Sequence, residues 1–135
     1  MKDCIFCKII AGEIPTEKIY EDDNFIVVLD INPVTKGHTL IIPKKHFKTL
    51  LDAPSTIGSD FFSIAKKIAL DLMEKGNEGF HFIINNFKAG QQEVDHIHAH
   101  IIPRKLDDGY FYKMVGSLRD KKKRIKNYSF FLIIL

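Results

Sequence analysis

The 135-residue chain has no apolar run approaching the roughly 18 residues that a membrane-spanning helix needs. Its first residues include Lys2 and Asp3, so no apolar leader is visible. It carries little excess charge, a formal +3, which by itself argues for neither a nucleic-acid partner nor a membrane surface. There is no internal repeat. Cysteine is scarce: two residues, Cys4 and Cys7, in one Cys-x-x-Cys pair, too few for a disulfide framework. The expected setting is cytoplasmic and reducing. There a close cysteine pair more often binds metal or does redox work than forms a structural bridge. With 45% hydrophobic and 27% charged residues, the composition is that of one globular domain large enough for a real core.

Histidine is abundant where it counts. Three of the six lie in Asp95-His96-Ile97-His98-Ala99-His100-Ile101-Ile102-Pro103-Arg104, at strictly alternate positions. In a strand, residues i, i+2 and i+4 share one face, so three imidazoles are expected about 6–7 Å apart on one side, with Ile97, Ala99 and Ile101 facing a core. A row of imidazoles builds a poor apolar face, which points to chemistry.

The pattern around this row is α+β. Cys4 to Ala11 reads as a short helix, ended by Gly12 and Pro15. Lys18–Glu21 and Phe25–Leu29 read as strands joined by the turn residues Asp22-Asp23-Asn24, a hairpin. His38 to Ile42 is a third strand, closed by Pro43. Ser55 or Thr56 caps a long helix reaching about Lys75, with Phe61, Ile64, Ala65, Ile68 and Leu72 at helical spacing, Lys66, Lys67, Asp71 and Glu74 on the wet side, and Gly76 as the stop. Phe80 to Asn85 is a strand, residues 87–94 are a loop, and the histidine strand follows. Short connections favour an antiparallel five-stranded sheet, covered by the long helix in two layers. The domain is expected over residues 1–106. Residues 107–135 form a polar tail with some helix around residues 113–118, a solvated basic run, Lys121 to Arg124, and an apolar end, Ser129 to Leu135, suited to packing on the body or on a partner subunit.

Two sites emerge. Structural zinc takes four nitrogen or sulfur ligands in a tetrahedron; Cys4 and Cys7 supply two, and His46 with His96 can supply the others. The alternative is a pair of buried thiols packing as small hydrophobes. His98, in the middle of the row, is a nucleophile, a ligand of a three-histidine metal site, or a satisfied polar-pocket histidine. A neutral imidazole whose second nitrogen donates to a carbonyl aims its lone pair outward and can attack phosphorus. His38 and His100 are candidates to hold or protonate phosphate oxygens. His81 reads as a surface or groove residue, facing opposite to Phe80 and Phe82.

His96-Ile97-His98-Ala99-His100-Ile101-Ile102 resembles the His-φ-His-φ-His-φ-φ signature (φ hydrophobic) of the histidine triad (HIT) superfamily, and most of all its Hint branch of nucleoside phosphoramidate hydrolases. Further blocks match in family order over residues 4–104. They are Cys4-Ile5-Phe6-Cys7 with Gly12-Glu13-Ile14-Pro15, Leu29-Asp30-Ile31-Asn32-Pro33, Lys36-Gly37-His38-Thr39 to Lys45-His46, Ile84-Asn85-Asn86 and Ile102-Pro103-Arg104. The resemblance implies a HIT-like fold and a homodimer. It implies cleavage of purine nucleoside phosphoramidates or related AMP conjugates through a nucleotidyl-histidine. His98 would be the nucleophile, with His100 and His38 as catalytic partners. Asp30 would bind the ribose hydroxyls, Asn85 and Gln92 would line the phosphate site, and Ile5, Phe6, Val28 and Ile31 the base pocket. It implies zinc on Cys4, Cys7, His46 and His96. Alternatives are a dinucleoside polyphosphate hydrolase of the same superfamily and a nucleotide sensor of low turnover; a metal hydrolase using all three histidines is a third. The loop departs from the family pattern. Gly90-Gln91-Gln92-Glu93-Val94 holds one extra residue, so Gln91 or Gln92 is the matching glutamine, and Glu93 stands where Hint enzymes often carry serine.

Overall fold

A computed structural model describes residues 3–109. The expectations for the tail beyond Gly109 lie outside the described residues.

The sheet is antiparallel throughout, built from β1 (Lys18–Glu21), β2 (Phe25–Leu29), β3 (Thr39–Pro43), β4 (Gly79–Ile84) and β5 (Ala99–Arg104) in the order β1-β2-β3-β5-β4. The expected β1–β2 hairpin is present, tightened by the Asp22 carboxylate, which accepts from the N–H groups of Asn24 and Phe25. The histidine-bearing β5 is not an edge strand. It inserts between β3 and β4, pairing Ala99 with Ile41 on one side and with Ile84 on the other.

The 18-residue helix α2 (Ile57–Glu74) crosses one face. Its Ile57, Phe61, Ile64, Ala65 and Leu72 pack on Phe25, Val27, Ile41, Ile97, Ala99 and Ile101. The anticipated stripe is therefore the buried one. Thr56 sits at the N-cap, but its side chain makes no capping bond. The C-terminus ends as expected at Gly76, whose φ of +89° permits a Schellman turn: its N–H reaches Met73 O while that of Asn77 reaches Leu72 O. The other face is covered at one end by the short helix α1 (Ile5–Ile10), whose Phe6 and Ile9 pack on Ile26, Val28, Leu40 and Ile42. His100 lies directly opposite Leu40 in the ladder, so the imidazoles belong to this second face. Strand alternation thus separates a dry core under α2 from a chemical face beside α1.

Candidate active site and metal centre

Only His100 of the three histidines lies within β5; His96 and His98 precede it, outside the ladder. Alternation nevertheless holds. Ile97, Ala99 and Ile101 are fully buried toward α2, and the Ile97 N–H donates to Phe47 O at 2.7 Å, prolonging the extended path. The rings tilt together, so His98 and His100 have centroids 4.8 Å apart, closer than the strand repeat suggested.

The first imidazole turns away from the other two. His96 Nε2 donates to Pro43 O at 2.7 Å, which leaves the Nδ1 lone pair facing Cys4 Sγ at 3.5 Å, Cys7 Sγ at 3.6 Å and His46 Nδ1 at 3.1 Å. Cys7 Sγ lies 3.3 Å from His46 Nδ1. All four ligand atoms fall within 4.8 Å of one another. A tetrahedral ion with metal–sulfur bonds of ~2.3 Å and metal–nitrogen bonds of ~2.0–2.1 Å separates its ligands by roughly 3.3–3.8 Å, so the quartet fits zinc in kind and spacing. The Pro43 carbonyl fixes the His96 tautomer, as an outer partner of a metal-bound histidine does. α1 organises the sulfur half: Cys4 is its N-cap, and the Cys7 N–H points at Cys4 Sγ, 3.5 Å away. Burial, and after it the adjacent Cys4, pushes the Cys7 thiol up.

Among the described residues the second imidazole uses only one of its nitrogens in a hydrogen bond. His98 Nδ1–H donates to the His96 main-chain oxygen at 2.8 Å, which places the Nε2 lone pair outward. Phe6 meets the ring edge-on at 4.9 Å and braces it. Burial holds His98 below the ordinary imidazole range, against the opposing effects of the His96 carbonyl and the carboxylates of Asp30 and Glu93. The ring is therefore neutral near pH 7.

The third imidazole ends a polarised chain. The Val34 N–H donates to His38 Nδ1 at 3.0 Å, so the His38 proton sits on Nε2. That nitrogen lies 2.9 Å from His100 Nδ1, which must accept. His100 Nε2 then carries a hydrogen and is a donor. Asp30 Oδ2 stands 3.5 Å from His38 Nε2, and Asp30 Oδ1 accepts from the Asn32 N–H at 2.8 Å. Burial, then the neighbouring imidazoles of His98 and His38, lowers His100 to about 4. Burial also lowers His38, opposed by Asp30. Side by side stand a nucleophilic nitrogen and an N–H donor, the pair needed to attack phosphorus and hold its oxygen. The Val34–His38–His100 relay was not legible in the sequence, because its first donor is a main-chain group.

The loop before the histidine row turns one of its two glutamines inward. Gln92 is buried, and its amide is used up inside the protein: Oε1 accepts from the Phe87 N–H at 2.8 Å, and Nε2 donates to Lys48 O at 2.6 Å and Val94 O at 2.9 Å. It pins the loop. Phe87 and Gln91 flank a 3-10 turn, Lys88–Gly90, with φ of 60° and 67°, left-handed conformations that this clamp sustains. The exposed glutamine is Gln91, whose carbonyl accepts from Asn85 Nδ2 at 3.4 Å. Of the four expected base-pocket residues, Phe6 and Val28 are buried, whereas Ile5 and Ile31 are exposed, Ile31 at 85%. A cavity of about 550 Å³ lies elsewhere, bordered by Glu78, His81, Arg104 and Asp108. Arg104 there chelates the Asp108 carboxylate and donates from Nη1 to His81 Nε2 at 3.2 Å, so His81 is a half-buried groove residue.

Comparison with known proteins agrees with this geometry. An uncharacterized HIT-like protein of Methanocaldococcus jannaschii is 46% identical over 110 residues, 82% of this chain and 85% of that protein. Adenylylsulfatase HINT3 of Arabidopsis thaliana is 44% identical over 78% of this chain, which spans 54% of that longer protein. Adenosine 5'-monophosphoramidase HNT1 of Candida albicans is 42% identical, over 76% of this chain and 70% of its own. A zinc-bound histidine triad family protein of Mycobacterium smegmatis superposes with a TM-score of 0.76 at 41% identity, covering 79% of this chain and 78% of that one. The HIT domain family model matches residues 11–107, and the chain belongs to the HIT family.

Proposed function

We propose that the protein hydrolyses purine nucleoside phosphoramidates, or related AMP conjugates, through a nucleotidyl-histidine. The observation that carries this reading is the orientation of His98: Nδ1 is committed to the His96 carbonyl, Nε2 is turned outward on a ring that burial keeps neutral, and His98 belongs to neither group of potential metal ligands among the described residues. The names of two relatives, an adenylylsulfatase and an adenosine monophosphoramidase, denote cleavage of adenylyl conjugates and support the substrate class.

His98 Nε2 attacks the α-phosphorus. A P–N bond to the histidine forms, the P–N bond to the amine breaks, and the amine leaves with a proton. Water then attacks the same phosphorus. The histidyl P–N bond breaks, and the nucleoside monophosphate departs. His100 Nε2–H holds a phosphoryl oxygen, polarised through His38. Asp30, beside the His38–His100 junction, accepts from the ribose hydroxyls. Gln91, with Asn85 behind it, takes the phosphate-side place first expected of Gln92. Phe6 and Val28 form the floor of the base site, with Ile5 and Ile31 closing over it.

Cys4, Cys7, His46 and His96 would hold a structural zinc, which would tie α1 to the loop after β3 and to the start of the histidine row. Two copies pair as a homodimer, for which β4 offers an outer edge carrying the exposed Phe80 and Phe82. Among the described residues no helix is long and apolar enough to cross a membrane.

Stereochemistry tests the reaction. An adenosine phosphoramidate made chiral at phosphorus with sulfur, hydrolysed in isotopically labelled water, retains its configuration after two in-line displacements. Inversion means that water attacks directly, and the covalent reading fails.

A further inference from the structure

Cys4 and Cys7 are the chain's only thiols, both free of a disulfide and both half-buried, so a small solute reaches them. The chemistry above leaves their redox capacity unused, yet they are placed for it. Cys4 is the N-cap of α1, and its Sγ hangs over the helix start, 3.5 Å from the main-chain nitrogen of Cys7. The four ligand atoms, these two sulfurs among them, fall within 4.8 Å of one another. A disulfide needs Cα atoms roughly 4.4–6.8 Å apart, a span that residues three apart at a helix start meet. Between the two cysteines stands Phe6. Its ring meets His98 edge-on at 4.9 Å and His96 at 5.8 Å, and it packs on Ile26 and Val28. A bond closed between Cys4 and Cys7 would therefore withdraw two of the four metal donors and pull on the residue that braces His98.

We propose that Cys4 and Cys7 are a site of reversible oxidation, at which a peroxide joins the two sulfurs, the cluster gives up its zinc and turnover at His98 falls. Bound to the metal, both sulfurs are thiolates, the form that reacts. One thiolate attacks a peroxide oxygen: an S–O bond forms, the O–O bond breaks and hydroxide leaves. The second thiolate attacks the sulfenic sulfur so formed: the S–S bond forms, the S–O bond breaks and a second hydroxide leaves. The sulfur pair is oxidised by two electrons, the peroxide is reduced, and both hydroxides take protons from solvent. His46 and His96 then remain as half of a tetrahedral ligand set. Freed from the metal, the His96 ring no longer anchors the segment whose main-chain oxygen sets the His98 tautomer. A dithiol reverses the step by exchange. The effect on turnover rests on the proposed hydrolase reading, whereas the sulfur chemistry does not.

The test titrates the zinc-loaded full chain with hydrogen peroxide. Released zinc is read with a chromophoric chelator, free thiols with a thiol reagent, the product by intact mass and peptide mapping, and kcat with an adenosine phosphoramidate. Zinc, both thiols and two hydrogens should be lost together, with a Cys4–Cys7 bridge inside one chain. In step with them kcat should fall by roughly tenfold or more, the scale of a displaced catalytic group. Dithiothreitol with added zinc should restore every readout. Cys7→Ser, which has no partner for Cys4, should show no loss of kcat that dithiothreitol reverses. Should that variant fail to fold, the bridge, the zinc release and their reversal in the intact chain decide. Zinc retained while the thiols are consumed, oxygen added to either sulfur without a bridge, a bridge between two chains, or an unchanged kcat in the bridged protein overturns this inference and leaves the hydrolase reading standing. Turnover of no phosphoramidate by the reduced, zinc-loaded chain overturns the hydrolase reading, and the zinc and thiol readouts then decide the oxidation site by themselves.

Discussion

The main-chain oxygen of His96 accepts the Nδ1–H of His98 at 2.8 Å, while the side chain of His96 points the opposite way, into the Cys4–Cys7–His46 cluster. One residue thus joins the candidate metal cluster with its ring and sets the tautomer of its neighbour with its backbone. Alternation along an extended chain allows both. It also makes the two sites separable by mutation.

His98→Ala should lower kcat by roughly 10⁴-fold or more, since no other imidazole presents an outward lone pair beside the donor of His100. Its zinc content, measured by atomic absorption, should be unchanged.

His96→Ala should do the reverse first. It removes a fully buried ligand, so bound zinc should fall from about one equivalent toward zero, with a loss of several kcal/mol in chemical denaturation. A strong chelator should likewise lower the melting temperature of the intact chain and leave that of His96→Ala unmoved.

Acid should destabilise the fold. The folded-state pKa of His100 is about 4, below the ordinary imidazole value of ~6.5, so between these values the unfolded chain binds more protons than the native one. Stability then rises with pH across that window and is lost as pH falls from about 6.5 toward 4. Denaturant midpoints should show this slope, to which His96, His98 and His38, also lowered by burial, contribute, and His100→Gln should reduce it. A midpoint that rises on acidification contradicts the assignment.

Gln92→Ala should cost roughly 2–3 kcal/mol, because three partly buried hydrogen bonds are broken and the Phe87 N–H and the Lys48 and Val94 carbonyls lose their partner. Gln91→Ala, at an exposed position, should leave stability within about 0.5 kcal/mol and act on kcat/KM. Urea titration and steady-state kinetics on the pair separate the pinning glutamine from the one proposed on the phosphate side.

Much of this was legible in the chain itself. Helical spacing from Phe61 to Leu72 and alternation from His96 to Ile101 are local patterns that burial enforces, and both hold. The metal quartet was legible because thiols and imidazoles at those spacings have few other uses. The insertion of β5 between β3 and β4 was not, since pairing across some sixty residues leaves no mark in either segment. Nor was the division of labour between Gln91 and Gln92. Two adjacent amides have the same chemistry on paper. Only the left-handed turn at Phe87 and Gln91 decides which of them turns inward.

The central claim is that the middle imidazole, free of metal, attacks phosphorus. Its most direct test is rapid denaturing quench of the zinc-loaded protein during turnover of an adenosine phosphoramidate, followed by peptide mass mapping under conditions that preserve phosphorus–nitrogen bonds. The account predicts an adenylyl group on His98, with zinc retained before the quench and no adduct in His98→Ala. An adduct on another residue, or turnover with none on His98, would contradict it.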